Sequence, residues 1–245
     1  MNGGTAPTGA REPEQAAQWV RRMFGRIAPR YDLLNHLLSF GMDWSWRRRT
    51  ARRVRPWLRR PGARVLDLCC GTGDLLRALR REAGGAATTV VLAGCDFCHP
   101  MLLLARRKLP WASLIEADAL RLPLPAESFD LLAVAFGFRN LADYRAGLAE
   151  MRRVLRRGGV AAILEFSHPT GAAFGTLYRW YATRVLPRLG GWISGSPDAY
   201  RYLPESVQRF PEPEELAQGM REAGFSRVTF ERLSGGIVCL HLGVA

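Results

Sequence analysis

From Arg64 onward the apolar positions come in short continuous runs rather than in strict alternation. "RVLDLCC" (64–70), "TVVLAGCD" (89–96), "ASLIEAD" (112–118), "DLLAVAF" (130–136) and "VAAILEF" (160–166) read as strands. A strand without polar alternation is buried on both faces, as in a parallel sheet. Between them, "GDLLRALRREA" (73–83), "HPMLLLARRKL" (99–109) and "LADYRAGLAEMRRVL" (141–155) repeat apolar residues at helical spacing, the last stopped by Gly158-Gly159. Strand alternating with helix predicts a doubly wound α/β fold. The rhythm changes at the end of the chain. A helix over 213–225 is followed by "SRVTFERL" (226–233) and "GGIVCLHLGV" (235–244), joined by a turn at Ser234-Gly235-Gly236. Such a pair predicts an antiparallel edge and brings the sheet to seven strands. Before Arg64 the pattern is helical over 14–28, 31–39 and 43–58, and a second helical stretch runs over 171–210. The expected organisation is a tail at 1–15 and a single domain over 16–245, with helical caps at 16–60 and 171–210.

At 245 residues and 48% apolar content the chain fits one such domain. Its net charge is +13, and Lys108 is its only lysine. The densest basic run is "RRRTARRVRPWLRR", Arg47 to Arg60. Two readings compete: a solvated helix face, or attachment to an anionic membrane surface, which suits a helix rich in arginine and tryptophan. No run is long and apolar enough for a transmembrane helix. The N-terminal stretch lacks the apolar core of a signal peptide, which points to the cytoplasm. Cys95 and Cys98 form a C-x-x-C, but no second pair gives a zinc spacing. The five cysteines are expected as reduced thiols packed at strand ends, with no metal.

"VLDLCCGTGD" places Gly71-Thr72-Gly73 between the first strand and the first helix of the alternating region, with Asp67 inside the strand. Glycines there let backbone approach a ligand. Asp96 ends the second strand, where an acid can bind both hydroxyls of a ribose. Asp118 ends the third. A dinucleotide fingerprint needs a small residue where this chain has Leu76, and a P-loop needs a lysine that the loop lacks. A nucleoside ligand without pyrophosphate fits better. S-adenosyl-L-methionine is one: ribose at Asp96, adenine near Asp118-Ala119, methionine over Gly71 to Gly73.

These motifs stand in the order found in class I methyltransferases. "FGRIAPRYDLLNHLLSFGMDWSWRR", "FGFRN", "YRYLPESVQRFP" and "GGIVCLH" further resemble the quinone C-methyltransferase family of menaquinone and ubiquinone biosynthesis, over about Met23 to His241. The resemblance implies S-adenosylmethionine contacts at Thr72, Asp96, Asp118 and Ala119, within a set of Gly71, Thr72, Gly73, Asp96, Phe97, Asp118 and Ala119. It implies a polyprenylated quinol substrate, with demethylmenaquinol favoured over a methoxy-benzoquinol. The chain departs from the family at Ala135, where serine is frequent, and at His168, where lysine is common. A nucleic-acid substrate is not expected, because the stretch after the fourth strand reads "FGFRN" rather than N-P-P-[YF]. A homodimer is compatible with the sequence.

Ring methylation explains why the apolar strand ends in Arg139 and Asn140. A ring carbon becomes nucleophilic when a neighbouring hydroxyl ionises. Lowering a phenol from about 10 to 7 takes about 4 kcal/mol of preferential stabilisation. A desolvated cation supplies it. Arg139 is expected to stabilise the phenolate, Asn140 to orient it or a water, and Tyr31, in "RYD", to hold the ring. The competing roles are an Arg139–Asp143 ion pair and plain packing for Tyr31. His36 and His168 are candidate proton acceptors. Phe24, Met42, Trp44, Trp46, Trp180, Tyr181 and Trp192 are candidates for lining a tunnel for the prenyl tail.

Overall fold

The computed structural model describes residues 3–4, 7, 12–188, 190 and 197–245. Four helices come first: α1 (Pro13–Ile27), α2 (Tyr31–Leu38), α3 (Met42–Arg53) and α4 (Arg55–Leu58). Then β1 (Arg64–Leu68), α5 (Asp74–Ala83), β2 (Val91–Asp96), α6 (His99–Lys108), β3 (Ser113–Glu116), β4 (Phe129–Ala135), α7 (Tyr144–Val154) and β5 (Leu155–Phe166) alternate. A second helical group, α8 (Ala172–Trp180), a π turn (Tyr181–Val185) and α9 (Pro197–Arg209), precedes α10 (Pro213–Glu222), β6 (Ser226–Leu233) and β7 (Val238–Val244). The seven strands form one sheet in the order β3-β2-β1-β4-β5-β7-β6. The first five are parallel, and β7 pairs antiparallel with both β5 and β6. The expected seven-stranded sheet with an antiparallel edge is present.

The continuous apolar runs have a direct cause. Val65, Leu131, Ala133, Val160 and Ala162 face a core shared with Val54, Leu58, Leu75 and Leu79 of α3–α5 and their junction. Their sequence neighbours Leu66, Leu132, Val134, Ala161 and Ile163 face the other core, with Leu148 and Met151 of α7 and Leu216 and Met220 of α10. Both faces are covered, so neither parity is polar.

Some boundaries differ from the sequence reading. The helix expected to end at Gly158-Gly159 stops at Val154, and β5 starts at Leu155. Phe129 pairs with Leu155 but Leu131 with Val160, so the strand bulges over 156–159, with Gly158 at φ 71. The helix expected over 43–58 breaks at Val54 into α3 and α4, and α1 starts at Pro13, inside the segment expected as tail. β3 ends at Glu116, two residues before Asp118.

The basic run also changes meaning. Trp46, Thr50, Ala51, Val54 and Leu58 are buried. Arg49 and Arg53 pair with Glu231, and Arg55 with Glu82. Arg60 reaches the Gly158 carbonyl and stacks on Trp57. Much of the run therefore binds the protein body.

His241 gives the fold a pH dependence. It lies buried in β7, its Nε2–H donating to the Pro213 carbonyl at 2.9 Å. Burial pushes its pKa down to about 4, against 6.5 for a free imidazole. The unfolded chain therefore binds the proton first as pH falls. Its contribution to stability is full above 6.5 and is lost progressively down to about 4, by up to about 3 kcal/mol. Urea unfolding of wild type and His241→Gln between pH 7 and 4.5 should give a flatter pH slope for the variant. Identical slopes would show that His241 is not kept neutral.

Candidate active site

The strand order reverses at β1, whose neighbours are β2 and β4. Ligands of open α/β sheets bind in the crevice beyond such strand ends. Here the backbone is strained: Cys69, just past β1, has φ 53, and Phe136, just past β4, has φ 61. Such outliers in bulky residues cluster at ligand sites. Gly137 lets the two strand ends meet, since a Cβ there would lie 2.4 Å from that of Cys69.

The crevice holds two compartments. The smaller cleft is lined by Gly71, Asp96, Phe97, Asp118, Ala119, Ala135 and Asn140, among others. Asp96 is buried, and its two oxygens accept the N–H groups of Gly71 and Cys98 at 2.8 Å each. Burial raises its pKa and these bonds oppose the rise. Phe97 N–H is a further backbone donor, and the carboxylate, with about four lone pairs, keeps acceptor capacity for a ligand hydroxyl. Asp118 accepts the Leu120 N–H at 2.9 Å. Asp67, inside β1, is buried, and burial holds its carboxyl well above the usual range, against the pull of the Leu76 backbone N–H.

Thr72 and Gly73 line neither compartment. The Thr72 hydroxyl donates to Asp32 at 2.5 Å and accepts from Lys108 Nζ at 3.0 Å. Gly73 adopts φ 86, which favours glycine, and a Cβ there would meet the Leu109 side chain at 2.3 Å. Lys108 also donates to Asp32 (2.7 Å) and Asp74 (2.8 Å). One compact ammonium thereby joins α2, the glycine loop and α6. Nothing about its spacing in sequence signalled this.

The larger compartment encloses about 780 Å³ between the two helical groups. Of the candidate tunnel residues, Phe24, Met42, Trp46, Trp180 and Tyr181 line it. Trp44 does not; it contacts the His36 and Arg77 side chains. Trp192 lies outside the described residues. Phe24, Tyr31 and Phe136 border both compartments.

Arg139 and Asn140 sit in the short 3-10 turn Phe138–Asn140 after β4 and face different compartments: Arg139 the large one, Asn140 the cleft. Arg139 is buried and paired with Glu165 of β5, Nη1 to Oε1 at 2.7 Å. It also donates to the Phe136 carbonyl (2.7 Å) and Ser206 Oγ (3.2 Å). The expected alternative partner, Asp143, instead caps α7 by accepting the Ala146 N–H. Burial alone would lower the Arg139 pKa, but the Glu165 charge raises it on balance. Asn140 accepts from Tyr202 Oη at 3.1 Å.

A second buried cation was hidden in the basic run. Arg47 lines the large compartment, lies over the Phe136 ring at 5.1 Å and pairs with buried Asp43 at 2.5 Å. Asp43 also contacts His36 Nδ1 at 2.8 Å. The Tyr31 phenol is raised by burial, while Asn35, Arg47 and Arg139 pull it down. Both guanidinium charges therefore act on the place where Tyr31 separates the compartments. His168 borders the large compartment, 3.1 Å from Glu212.

Solved structures identify the fold. A SAM-dependent methyltransferase from Thermotoga maritima, titled a possible histamine N-methyltransferase, superposes with a TM-score of 0.60 at 19% identity, covering 91% of this chain and 98% of that one. The [4+2]-cyclase SpnF gives 0.63 at 20%, covering 95% and 78%. The fold is that of the class I S-adenosylmethionine-dependent methyltransferases. Residues 12–245 match the model of the ubiE/COQ5 methyltransferase family, and the chain belongs to that family. It is 52% identical to the demethylmenaquinone methyltransferase of Thermus thermophilus, covering 90% of this chain and 99% of that one. It is 48% identical to that of Deinococcus radiodurans, covering 95% of each, and 42% identical to the ubiquinone/menaquinone biosynthesis C-methyltransferase UbiE of Geobacter sulfurreducens, covering 91% and 87%.

The residues fit this cofactor: an acid with acceptor capacity for a hydroxyl, Gly71 at φ 54 on the cleft wall and, among the described residues, no lysine or arginine lining the cleft. Asp96→Ala should lower S-adenosylmethionine affinity about 10- to 100-fold by titration calorimetry, since hydrogen bonds to a charged group contribute about 1.5–3 kcal/mol. Unchanged affinity in a folded variant would place the ribose elsewhere.

Proposed function

We propose that the enzyme methylates a ring carbon of a polyprenylated quinol, demethylmenaquinol, and works peripherally at the inner face of the membrane that holds it. The observation that carries this is the meeting, at Tyr31, of a cleft lined by Asp96 and Asp118 with a large, mostly apolar cavity whose wall carries Arg47 and Arg139. The names of the relatives support the menaquinone substrate over a methoxy-benzoquinol.

Gly71, Asp96, Phe97, Asp118 and Ala119 hold the cofactor. Bound S-adenosylmethionine supplies an electrophilic methyl group. In the large cavity Arg139 and Arg47 stabilise the quinol oxygen as its proton passes to water. Arginine cannot itself take that proton, because a guanidinium has no lone pair to offer. Electron density moves from the oxygen to the ring carbon, which would take the methyl group as the bond from methyl to sulfur breaks and S-adenosylhomocysteine leaves. The same carbon then loses its hydrogen as a proton and aromaticity returns. Asn140, held by Tyr202, orients the ring or a water from the cleft side, and the raised Tyr31 phenol stays a neutral donor.

The Glu165 pairing sharpens the test. Arg139→Gln alone leaves a buried carboxylate without its cation, which costs about 3–5 kcal/mol of stability. Arg139→Gln with Glu165→Gln removes both charges and should fold. This double variant should bind the cofactor within a few-fold of wild type but turn over about 10²- to 10³-fold more slowly at pH 7. Higher pH should recover part of the loss. In a strain lacking its own quinone methyltransferase, mass spectrometry of lipid quinones should find methylated menaquinone restored by wild type and not by the variant. A double variant with normal turnover would return Arg139 to a purely structural role.

A further inference from the structure

Among the described residues the exposed large apolar side chains are concentrated. Seven of nine lie in α2, the turn into α3, α3 itself or α8: Leu33, Leu37, Phe40, Met42, Trp44, Leu177 and Trp180. A scatter of single exposed apolar residues is ordinary; a contiguous group is not. Contact between the two helical groups is direct, since the Phe40 and Tyr181 rings lie 5.8 Å apart and Tyr181 Oη donates to the Leu38 carbonyl at 2.9 Å. Phe40 is the extreme case, 76% exposed and held at φ 53, a conformation that bulky residues avoid. The fold spends strain to hold a phenyl ring in water.

We infer that this rim is the surface by which the enzyme seats on an anionic lipid leaflet, with the mouth of the large cavity opening into the acyl region. Continuity favours lipid as the occupant. Phe40, Met42, Leu177 and Trp180 belong both to the exposed rim and to the lining of the 780 Å³ cavity. A protein partner on the rim would plug that mouth, whereas a leaflet would feed it. Charge agrees. Residues 171–188 contain Arg179, Arg184 and Arg188, all exposed, and no acidic residue. In α2 and α3 the acids are neutralised: Asp32 by Lys108 and Asp43 by Arg47. An apolar face carrying tryptophan and bordered by arginine is the composition of an interfacial segment. The basic run over 47–60, the surface that charge alone would select, is largely engaged with Glu231, Glu82 and Gly158. The inference rests on a prenylated substrate, as proposed above, and adds where the membrane lies.

The test uses the whole chain with vesicles of phosphatidylcholine and phosphatidylglycerol. Leu33→Gln/Leu37→Gln removes two exposed side chains that line neither compartment. Co-sedimentation should drop roughly 10- to 100-fold, the loss expected for two leucines leaving an apolar phase in part. Thermal unfolding should be unchanged, and so should methylation of a short-tailed, water-dispersed quinol without vesicles. Methylation of a prenylated quinol embedded in the vesicles should fall with the binding. Arg52→Gln/Arg53→Gln/Arg59→Gln/Arg60→Gln should lose less binding than the leucine variant. Wild-type sedimentation by the leucine variant, or a larger loss in the arginine variant, would overturn the assignment of this face. Absence of methylation of the short quinol by wild type would instead sink the proposed reaction and leave the sedimentation result standing.

Discussion

A buried guanidinium and carboxylate, Arg139 and Glu165, tie the site together. Glu165 Oε1 takes Arg139 Nη1 and the Phe166 N–H, while Oε2 takes the Arg139 N–H. The pair locks the turn after β4 to the end of β5, and Ser206 extends the lock to α9. Desolvating two such ions costs several kcal/mol, which their attraction only roughly returns, so apolar packing would stabilise the fold as well. What apolar packing could not provide is a fixed positive group on the wall of a mostly apolar cavity. Because Glu165 offsets much of its field, Arg139 is a weaker anion stabiliser than a lone cation would be. Arg47, paired in the same way with Asp43, adds a second guanidinium to the cavity wall.

The N-terminal helices are attached to the sheet by similar means. Lys108 binds Asp32, Thr72 and Asp74 and so joins α2 to the glycine loop. Tyr31, next to Asp32, is thereby held over Gly71, whose Cβ position lies 3.9 Å from the Tyr31 ring. The helical cap over the large cavity and the glycine loop are one mechanical unit. Its outer edge is the exposed rim around Phe40.

Much of this was legible in the chain, for physical reasons. Continuous apolar runs report two covered sheet faces, so the parallel core could be read directly. Asp96 and Arg139 stood out because each charge follows an apolar strand. Glu165 carried the same signal, an acid inside "VAAILEF", and could have been matched to Arg139. Lys108 could not: its partners Asp32 and Asp74 lie 76 and 34 residues away, and nothing periodic links them. The Thr72 hydroxyl is bonded by groups distant in sequence, which the local loop motif does not announce. Arg47 was masked by the arginines around it, since burial of one member of a charge run depends on helix orientation. The start of β5 was misjudged because a bulge around Gly158 has the same local sequence as a helix stop.

The central claim is that the ring carbon is activated through an ionising hydroxyl held near Arg139 and Arg47. Only the reduced ring has that hydroxyl. Methyl transfer from labelled S-adenosylmethionine to demethylmenaquinone should therefore be measured with and without a chemical reductant, under otherwise identical conditions. The account predicts incorporation only when the quinone is reduced to the quinol. Equal incorporation into the fully oxidised quinone would contradict it.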